Sequence, residues 1–332
     1  MTASVVEHGA QIGLVGDIGG TNARFALASV DDHGALSLDT PESLATEDFR
    51  RLEDAIETYL QDRGHPALAF TAMACAGPVL NGRVEFTNLA WTADAEALHQ
   101  RFNAAQTILL NDLEAVAWAT PALKPEHLHR VGGPETRVQG ATVAVLGAGT
   151  GVNASALQVD RHEQTQVWAG EFGHTSFAPV DELEVEIWRV LRGRFGRVSV
   201  ERVISGPGIL NLYQALCQIH GQDADCVTPP DVALRAEAGD ATAQQALEHF
   251  ALALGSIAGD VALSYGAKGG VFIAGGIAPT LLPILETGGF RRRFEDKGRF
   301  QDYLAETPSA VIIHPFAALL GAARAALATG AV

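Results

Sequence analysis

Cysteine is scarce in this chain: three in 332 residues, Cys75, Cys217 and Cys226, with no C-x-x-C spacing among them. That scarcity excludes a disulfide framework and gives a thiolate zinc site no support, so the thiols read as buried or neutral in a reducing compartment. Basic residues are also few. Lys and Arg number 23 against 39 Asp and Glu, a formal net charge of −16, which argues against a surface for nucleic acid or an anionic membrane. The opening stretch, Met1 to Gln11, lacks a basic segment followed by an apolar one, so no secretory leader is expected. The longest apolar region, Ala251 to Leu285, is interrupted by Asp260, Lys268, Pro279 and many glycines and does not read as a membrane span. These absences together predict a cytoplasmic protein. Neither G-x-G-x-x-G nor G-x-x-x-x-G-K-[ST] occurs, so the commoner nucleotide loops are missing as well.

What is present is a pair of matched glycine turns. The apolar run Ile12–Val15 leads into Gly16-Asp17-Ile18-Gly19-Gly20-Thr21-Asn22, and Ala23, Phe25 and Leu27 then alternate with Arg24, Ala26 and Ala28 as a returning strand. A strand that ends near Asp and turns through glycines can bring bare backbone N–H groups against a phosphate. A single Gly-Gly hairpin is more often only a turn. A second segment changes the reading: Gly147-Ala148-Gly149-Thr150-Gly151-Val152-Asn153 follows Ala141–Leu146 and leads out through Ala154, Ala156, Leu157 and Val159. Two strand–glycine–Thr–strand units in two halves of one chain imply an internal duplication, with the two loops clamping a polyphosphate across a cleft.

At 332 residues the chain has room for two domains. Apolar spacing predicts helices near Thr46 to Gln61 and over Leu113 to Ala119, and strands over Leu68 to Cys75 and Thr107 to Leu110. The polar stretch Pro121 to Gly140 is the expected boundary. Beyond it helices are expected over Glu182 to Gly193, Gly208 to His220, Pro230 to Ala238 and Thr242 to Tyr265. A buried strand lies within Gly269 to Ile277, and a closing helix spans Pro315 to Ala328. Strands and helices alternate, so the class is α/β.

Several side chains stand where chemistry would need them. Asn111-Asp112 falls where a strand gives way to a helix, the place where α/β proteins hold ligands. Asp112 there is either a helix N-cap or a base that accepts a proton from a substrate hydroxyl, with Asn111 orienting that substrate. Gly170-Glu171-Phe172-Gly173-His174 sets an acid and an imidazole three residues apart, but its glycines and Pro179 argue against a helical metal pair. Both side chains read better as hydrogen-bonding a polar ligand or capping a loop. Glu201, ahead of Ser205-Gly206-Pro207-Gly208, is an ordinary surface acid when taken alone. The pair Gly275-Gly276 suits either a flat ligand or tight helix–strand packing.

Taken in order, Gly16 to Asn22, Asn111-Asp112, Gly147 to Gly151, Gly170 to His174, Val198 to Val203, Ser205 to Gly208 and Gly269 to Ile277 resemble the bacterial glucokinase family, in the actin/hexokinase-type ATPase superfamily. The similarity runs from about Ile12 to Leu327. It implies a two-domain actin-like (ribonuclease H-like) ATPase fold with an interdomain cleft, which phosphorylates the 6-hydroxyl of glucose with ATP and Mg²⁺. Residues 1–121 with about 314–332 would form the small domain, and 122–313 the large one. By the same resemblance Asp112 is the catalytic base, and Asn111, Glu171, His174 and Glu201 bind the sugar. Gly19, Gly20, Thr21 and Asn22, with Gly149 and Thr150, take the phosphates. Gly275, Gly276 and Ile277 lie beside the adenosine, and Asp17 holds Mg²⁺ through water. A homodimer is also implied.

Two positions depart from the family's usual pattern. Asn153 stands where Gly is common and is expected to tolerate left-handed backbone less freely. Phe172 replaces a common Gly and adds bulk beside Glu171, which would narrow or retune the sugar pocket. Thr175 to Asp181 contains no Cys, so the zinc motif of the related repressor/kinase branch is not expected. The alternatives are a non-catalytic sugar-binding or regulatory homologue, or a kinase for another hexose or phosphate donor. With fifteen residues ahead of Gly16, no DNA-binding helix-turn-helix is expected there.

Overall fold

The computed structural model describes residues 11–31, 33–86, 89–162 and 164–330. The N-terminal stretch read above for a leader, residues 1–10, and the last two residues of the chain lie outside the described residues. The chain forms two compact units: one runs to Leu123 and resumes at His314, and the other is Lys124–Ile313.

The first unit is built on a mixed sheet. Its strands are β1 (Gln11–Ile18), β2 (Asn22–Val30), β3 (Leu36–Leu38), β4 (Glu42–Ala45), β5 (Phe70–Cys75) and β8 (Gln106–Asn111), while β6 (Arg83–Glu85) and β7 (Thr92–Asp94) form a separate ribbon. Strand order is β3-β2-β1-β5-β8, with β4 also pairing β2. β1 and β2 are antiparallel, whereas β1, β5 and β8 run parallel. The second unit repeats this plan. Its strands β9 (Leu128–Gly132), β10 (Val143–Ala148), β11 (Val152–Val159), β12 (Thr165–Ala169), β13 (Gly270–Ala274) and β14 (Ser309–Ile312) order as β12-β11-β10-β13-β14-β9. Once the extra edge strand β9 is set aside, an antiparallel three-strand meander followed by two parallel strands occurs twice. The internal duplication inferred from two glycine turns is therefore a duplication of the whole sheet.

Register decides what leaves each sheet at the same edge. Ile18 pairs with Cys75, and Cys75 with Asn111, so the first hairpin and the Asn111-Asp112 junction both leave from the carboxyl end of the parallel strands. In the second unit Gly147 pairs with Ala274, which brings the second hairpin and Gly275-Gly276 to the corresponding edge. Open α/β sheets bind ligands at that end.

Each unit has its own core. Leu14, Ile18, Phe25, Leu52, Ile56 and Tyr59 are buried in the first, and the helix Ala241–Tyr265 runs through the second, burying Phe250, Leu254, Ile257 and Val261. Burial contributes roughly 1.5–3 kcal/mol for each large apolar side chain, before the entropy of ordering it. Among the described residues, Ala241–Tyr265 is the one helix long and apolar enough to cross a membrane, but 83% of its apolar window is buried inside the protein. Core packing accounts for its composition.

Several expectations need correction. The helix placed near Thr46 is two elements, a 3₁₀ turn Thr46–Asp48 and a helix Leu52–Gln61, because Phe49 and Arg51 take extended backbone between them. The boundary stretch Pro121 to Gly140 holds the division between the units, after Leu123, and also contains β9, which pairs with β14. The closing helix starts two residues late, at Ala317. It packs on the helix Asp112–Ala119 so closely that a Cβ on Gly321 would lie 1.6 Å from the carbonyl oxygen of Ala115. Gly321→Ala is expected to destabilise the protein by about 3 kcal/mol or more, by forcing these helices apart. Gly193→Ala, at an exposed position of the helix Glu182–Phe195 with nothing within 4 Å, should stabilise by about 0.5–1 kcal/mol. Denaturant unfolding of both variants checks the pair, and equal midpoints would contradict this packing.

Candidate active site

The first unit assembles one group of the expected residues. The turn at the end of β1 closes with Gly19 N–H donating to the carbonyl of Asn22 at 2.9 Å. Thr46, only 3% exposed, holds the tip from within: its N–H donates to the Thr21 carbonyl at 3.0 Å and its hydroxyl to the Gly20 carbonyl at 2.9 Å. With those carbonyls engaged inward, the N–H groups of Gly20 and Thr21 have no acceptor among the described residues. Thr21 and Asn22 are exposed.

The second hairpin has the same polarity. Gly206 N–H donates to the Gly149 carbonyl at 2.8 Å, and Gly149 N–H donates to the Gly151 carbonyl at 3.0 Å. The N–H groups of Thr150 and Gly151 are left without an acceptor among the described residues. Buried backbone groups are nearly always paired, and outward-facing N–H pairs at a turn form an anion-binding concavity.

The motif glycines divide into two physical kinds. Gly16, Gly173 and Gly275 are demanded from inside: a Cβ would lie 2.3 Å from Met73 Sδ, 2.1 Å from the Val152 carbonyl oxygen and 2.3 Å from the Ala148 carbonyl oxygen, respectively. Gly19, Gly149 and Gly276 are not. None has a left-handed backbone, and a Cβ there would meet nothing closer than 3.4 Å at Gly19, 4.0 Å at Gly149 and nothing within 4 Å at Gly276. Glycine at those positions leaves room for something approaching from outside. Ile277 begins the short helix that follows Gly276.

Asp17 lies opposite Arg24 in the β1–β2 ladder, and the two side chains form a 3.2 Å ion pair. Burial pushes the Asp17 carboxyl above its ordinary range, and Arg24 offsets only part of that. The Cys75 thiol is pushed up by burial first, then by the charges of Asp112 and Asp17. One buried thiol thus senses both carboxylates, as expected for groups leaving one sheet edge.

At the Asn111-Asp112 junction the helix cap is Asn111, not Asp112. Its Oδ1 accepts from Leu113 N at 3.0 Å and Glu114 N at 3.4 Å, and its Nδ2 donates to the Gly77 carbonyl at 3.2 Å. Glu114 Oε2 accepts from Asn111 N, which completes a capping box. Asp112 Oδ1 accepts from Leu113 N at 2.8 Å at the first position of the helix, where the helix dipole favours a carboxylate. Asn111 keeps one N–H hydrogen for a ligand.

In the second unit Glu171, His174 and Glu201 gather around the hairpin. Glu171 and His174 are exposed, and their side chains make no hydrogen bond within the described residues. Glu171 precedes and His174 ends a 3₁₀ turn, Phe172–His174, held by Arg197 donating to the His174 carbonyl at 2.8 Å. Glu201 is not a free surface acid: its Oε2 accepts from Val152 N at 3.0 Å, leaving the other oxygen for a ligand. The two departures from the family pattern also lie together. Asn153 is in the extended strand β11 opposite Gly147, so left-handed strain does not arise, and its Oδ1 accepts from Phe172 N at 3.0 Å. The Phe172 side chain packs against the unit's core.

Sequence reasoning missed Thr46, Arg24, Glu114 and the bracing role of Asn153. Of these Arg24 was within reach, since a tight turn centred on Gly20 and Thr21 sets residue 24 opposite residue 17.

A five-strand arrangement occurring twice, with a glycine hairpin in each copy, defines the class: an actin/hexokinase-type ATPase fold. A family model described as Glucokinase matches residues 14–329. A glucokinase of Caulobacter sp. (strain K31) is 46% identical over 314 residues, covering 94% of each chain. The crystal structure of a glucokinase from an Antarctic psychrotroph aligns with TM-score 0.87 at 34% identity, covering 95% of this chain and 98% of that one. A glucokinase from Balamuthia mandrillaris, solved in complex with glucose, shares the fold with TM-score 0.79 at 21% identity, covering 99% and 96% of the two chains. The chain belongs to the glucokinase family.

Burial raises the Glu114 carboxyl above its ordinary 4.5, against a weaker opposing hydrogen bond from Asn111 N. The ionised form is therefore the unfavourable one in the folded protein, and its cost is present above the raised pKa and absent below 4.5. Glu114→Gln keeps an acceptor for the capping box and removes that cost. The variant should melt higher than the parent at pH 8, with the gap closing as pH falls through the carboxylate range. Thermal melts across pH 4–8 test the sign.

Proposed function

We propose that this protein transfers the terminal phosphoryl group of ATP to the 6-hydroxyl of glucose by direct in-line displacement. One observation carries the reading: in each hairpin, tip carbonyls are bonded inward, those of Gly20 and Thr21 in one and that of Gly149 in the other, while the N–H groups of Gly20 and Thr21 and of Thr150 and Gly151 have no acceptor among the described residues. Such tips suit phosphate oxygens, and they suit a protein of net charge −16 that has little basic surface to offer.

Asp112 accepts the proton of the attacking hydroxyl, and the remaining Asn111 N–H donates to a hydroxyl beside it. Glu171, His174 and the free oxygen of Glu201 hold hydroxyls at the far end of the ring. Gly19, Gly20, Thr21 and Asn22 and the pair Gly149-Thr150 contact the phosphates, while Gly275, Gly276 and Ile277 lie beside the adenosine. Mg²⁺ fits at Asp17, since a hard cation that keeps most of its waters needs only one carboxylate, and a divalent charge favours an acid that burial discourages from ionising. When bound, it neutralises charge on the transferring phosphates. The reading extends to a cytoplasmic homodimer acting on free hexose, with no nucleic-acid or membrane partner.

The rival reading, a sugar-binding homologue without transfer, drew on Asn153 and Phe172. Their supports are weaker now that Asn153 is unstrained and the Phe172 ring packs against the core.

ADP release by purified protein with MgATP should be strong with glucose and at background with no sugar. Comparison with mannose, fructose and N-acetylglucosamine reads the specificity. Asp112→Ala should lower turnover about 10³-fold, within the span typical of a lost general base, while melting as a folded protein. Near-normal turnover in that variant would overturn the assignment of the base. A rise in thermal stability with glucose but no ADP release with any sugar would move the protein to the binding class.

A further inference from the structure

The leading half of the sugar-facing loop has one hydrogen bond to the phosphate hairpin among the described residues, and it comes from a side chain rather than the ladder. Asn153 has its backbone committed to β11, paired with Gly147. Its Oδ1 accepts from its neighbour Ala154 N at 2.8 Å and from Phe172 N at 3.0 Å. The trailing half of the loop is anchored separately, by Val200 N donating to the Thr175 carbonyl at 3.0 Å and by Arg197 on the His174 carbonyl at 2.8 Å. Gly173 sits against Val152, where a Cβ would lie 2.1 Å from its carbonyl oxygen.

The geometry points to Asn153 as a positioning residue for Glu171. The peptide between Glu171 and Phe172 is planar, so a bond that fixes the Phe172 N–H fixes the rotation about the Glu171 Cα–C bond. Glu171 has φ −109° and ψ 54°, outside the helical and extended basins, so its own backbone preference does not hold that rotation. The Phe172 side chain, packed against the core, is the second hold on the same residue. Asn153 and Phe172 together set the direction of an exposed carboxylate that has no hydrogen bond of its own. The effect is directional. The hairpin keeps its place through Gly206 on the Gly149 carbonyl and Glu201 on Val152 N, neither of which involves Asn153. Loss of the Asn153 acceptor should therefore disturb the hexose side and spare the nucleotide side. This inference rests on Glu171 binding the sugar, as proposed above.

The test uses the full chain with Asn153→Leu, close in shape but without an acceptor, and Asn153→Asp, which keeps one. Amide hydrogen exchange at Phe172 is read beside KM for glucose and for ATP. In Asn153→Leu the Phe172 amide should lose protection, the glucose KM should rise about fivefold to tenfold, the worth of one neutral hydrogen bond, and the ATP KM should stay within about twofold. Asn153→Asp should restore protection at Phe172. Unchanged protection in Asn153→Leu, equal rises in both KM values, or no restoration by Asn153→Asp would each overturn the inference. If Asn153→Leu does not fold, Asn153→Ala is read in the same way. A parent protein that phosphorylates no sugar would count against the functional reading instead, and exchange at Phe172 would still decide whether Asn153 holds the loop.

Discussion

Both hairpins depend on where their tips send the backbone carbonyls. Thr46 takes those of Gly20 and Thr21 in one unit, and Gly206 takes that of Gly149 in the other. A turn of three or four residues has few polar groups, and once its oxygens are bonded inward, its N–H groups are what remains for a ligand. The two braces are chemically unrelated: one is a buried threonine opening a 3₁₀ turn, the other the first backbone amide of a helix capped by Ser205. The duplicated sheet thus reaches the same polarity twice by different local means.

The same constraint bears on charge. A strongly acidic chain has to bind a polyanion without a field of lysines, and dipoles held by a rigid sheet do that without raising the net charge. Asp17 shows the cost. It sits at the end of a buried strand, in a setting that penalises its ionisation, with Arg24 across the ladder as a partial counterweight.

Sequence reading recovered the parts that local pattern governs. The alternation after Asn22, the β-branched run ending at Leu146 and the apolar stretch through Tyr265 each have one periodicity, and each became the element it implied. It failed where pairing partners are distant. β9 and β14 are short segments nearly 180 residues apart in sequence, and neither has a pattern that identifies it without the other. It also mistook Asn153 for a question of backbone conformation. The side chain acts through a bond to Phe172, nineteen residues on, and no spacing rule joins those two positions. Glu201 was missed in part for the same reason, because its bond to Val152 N spans 49 residues.

The glycines show most clearly how structure adds to sequence. All the motif glycines look alike in a string of letters, yet Gly16, Gly173 and Gly275 are fixed by neighbours that leave no room for a methyl group, while Gly19, Gly149 and Gly276 are not. A glycine costs backbone entropy on folding. Where packing demands it, that cost is offset inside the protein. Where nothing inside demands it, as at Gly19, Gly149 and Gly276, the open space is compatible with a contact from outside the chain. The second group lies on the two hairpin tips and beside Ile277, the positions that the proposed nucleotide would touch. The space around these three residues agrees with the proposed nucleotide contacts.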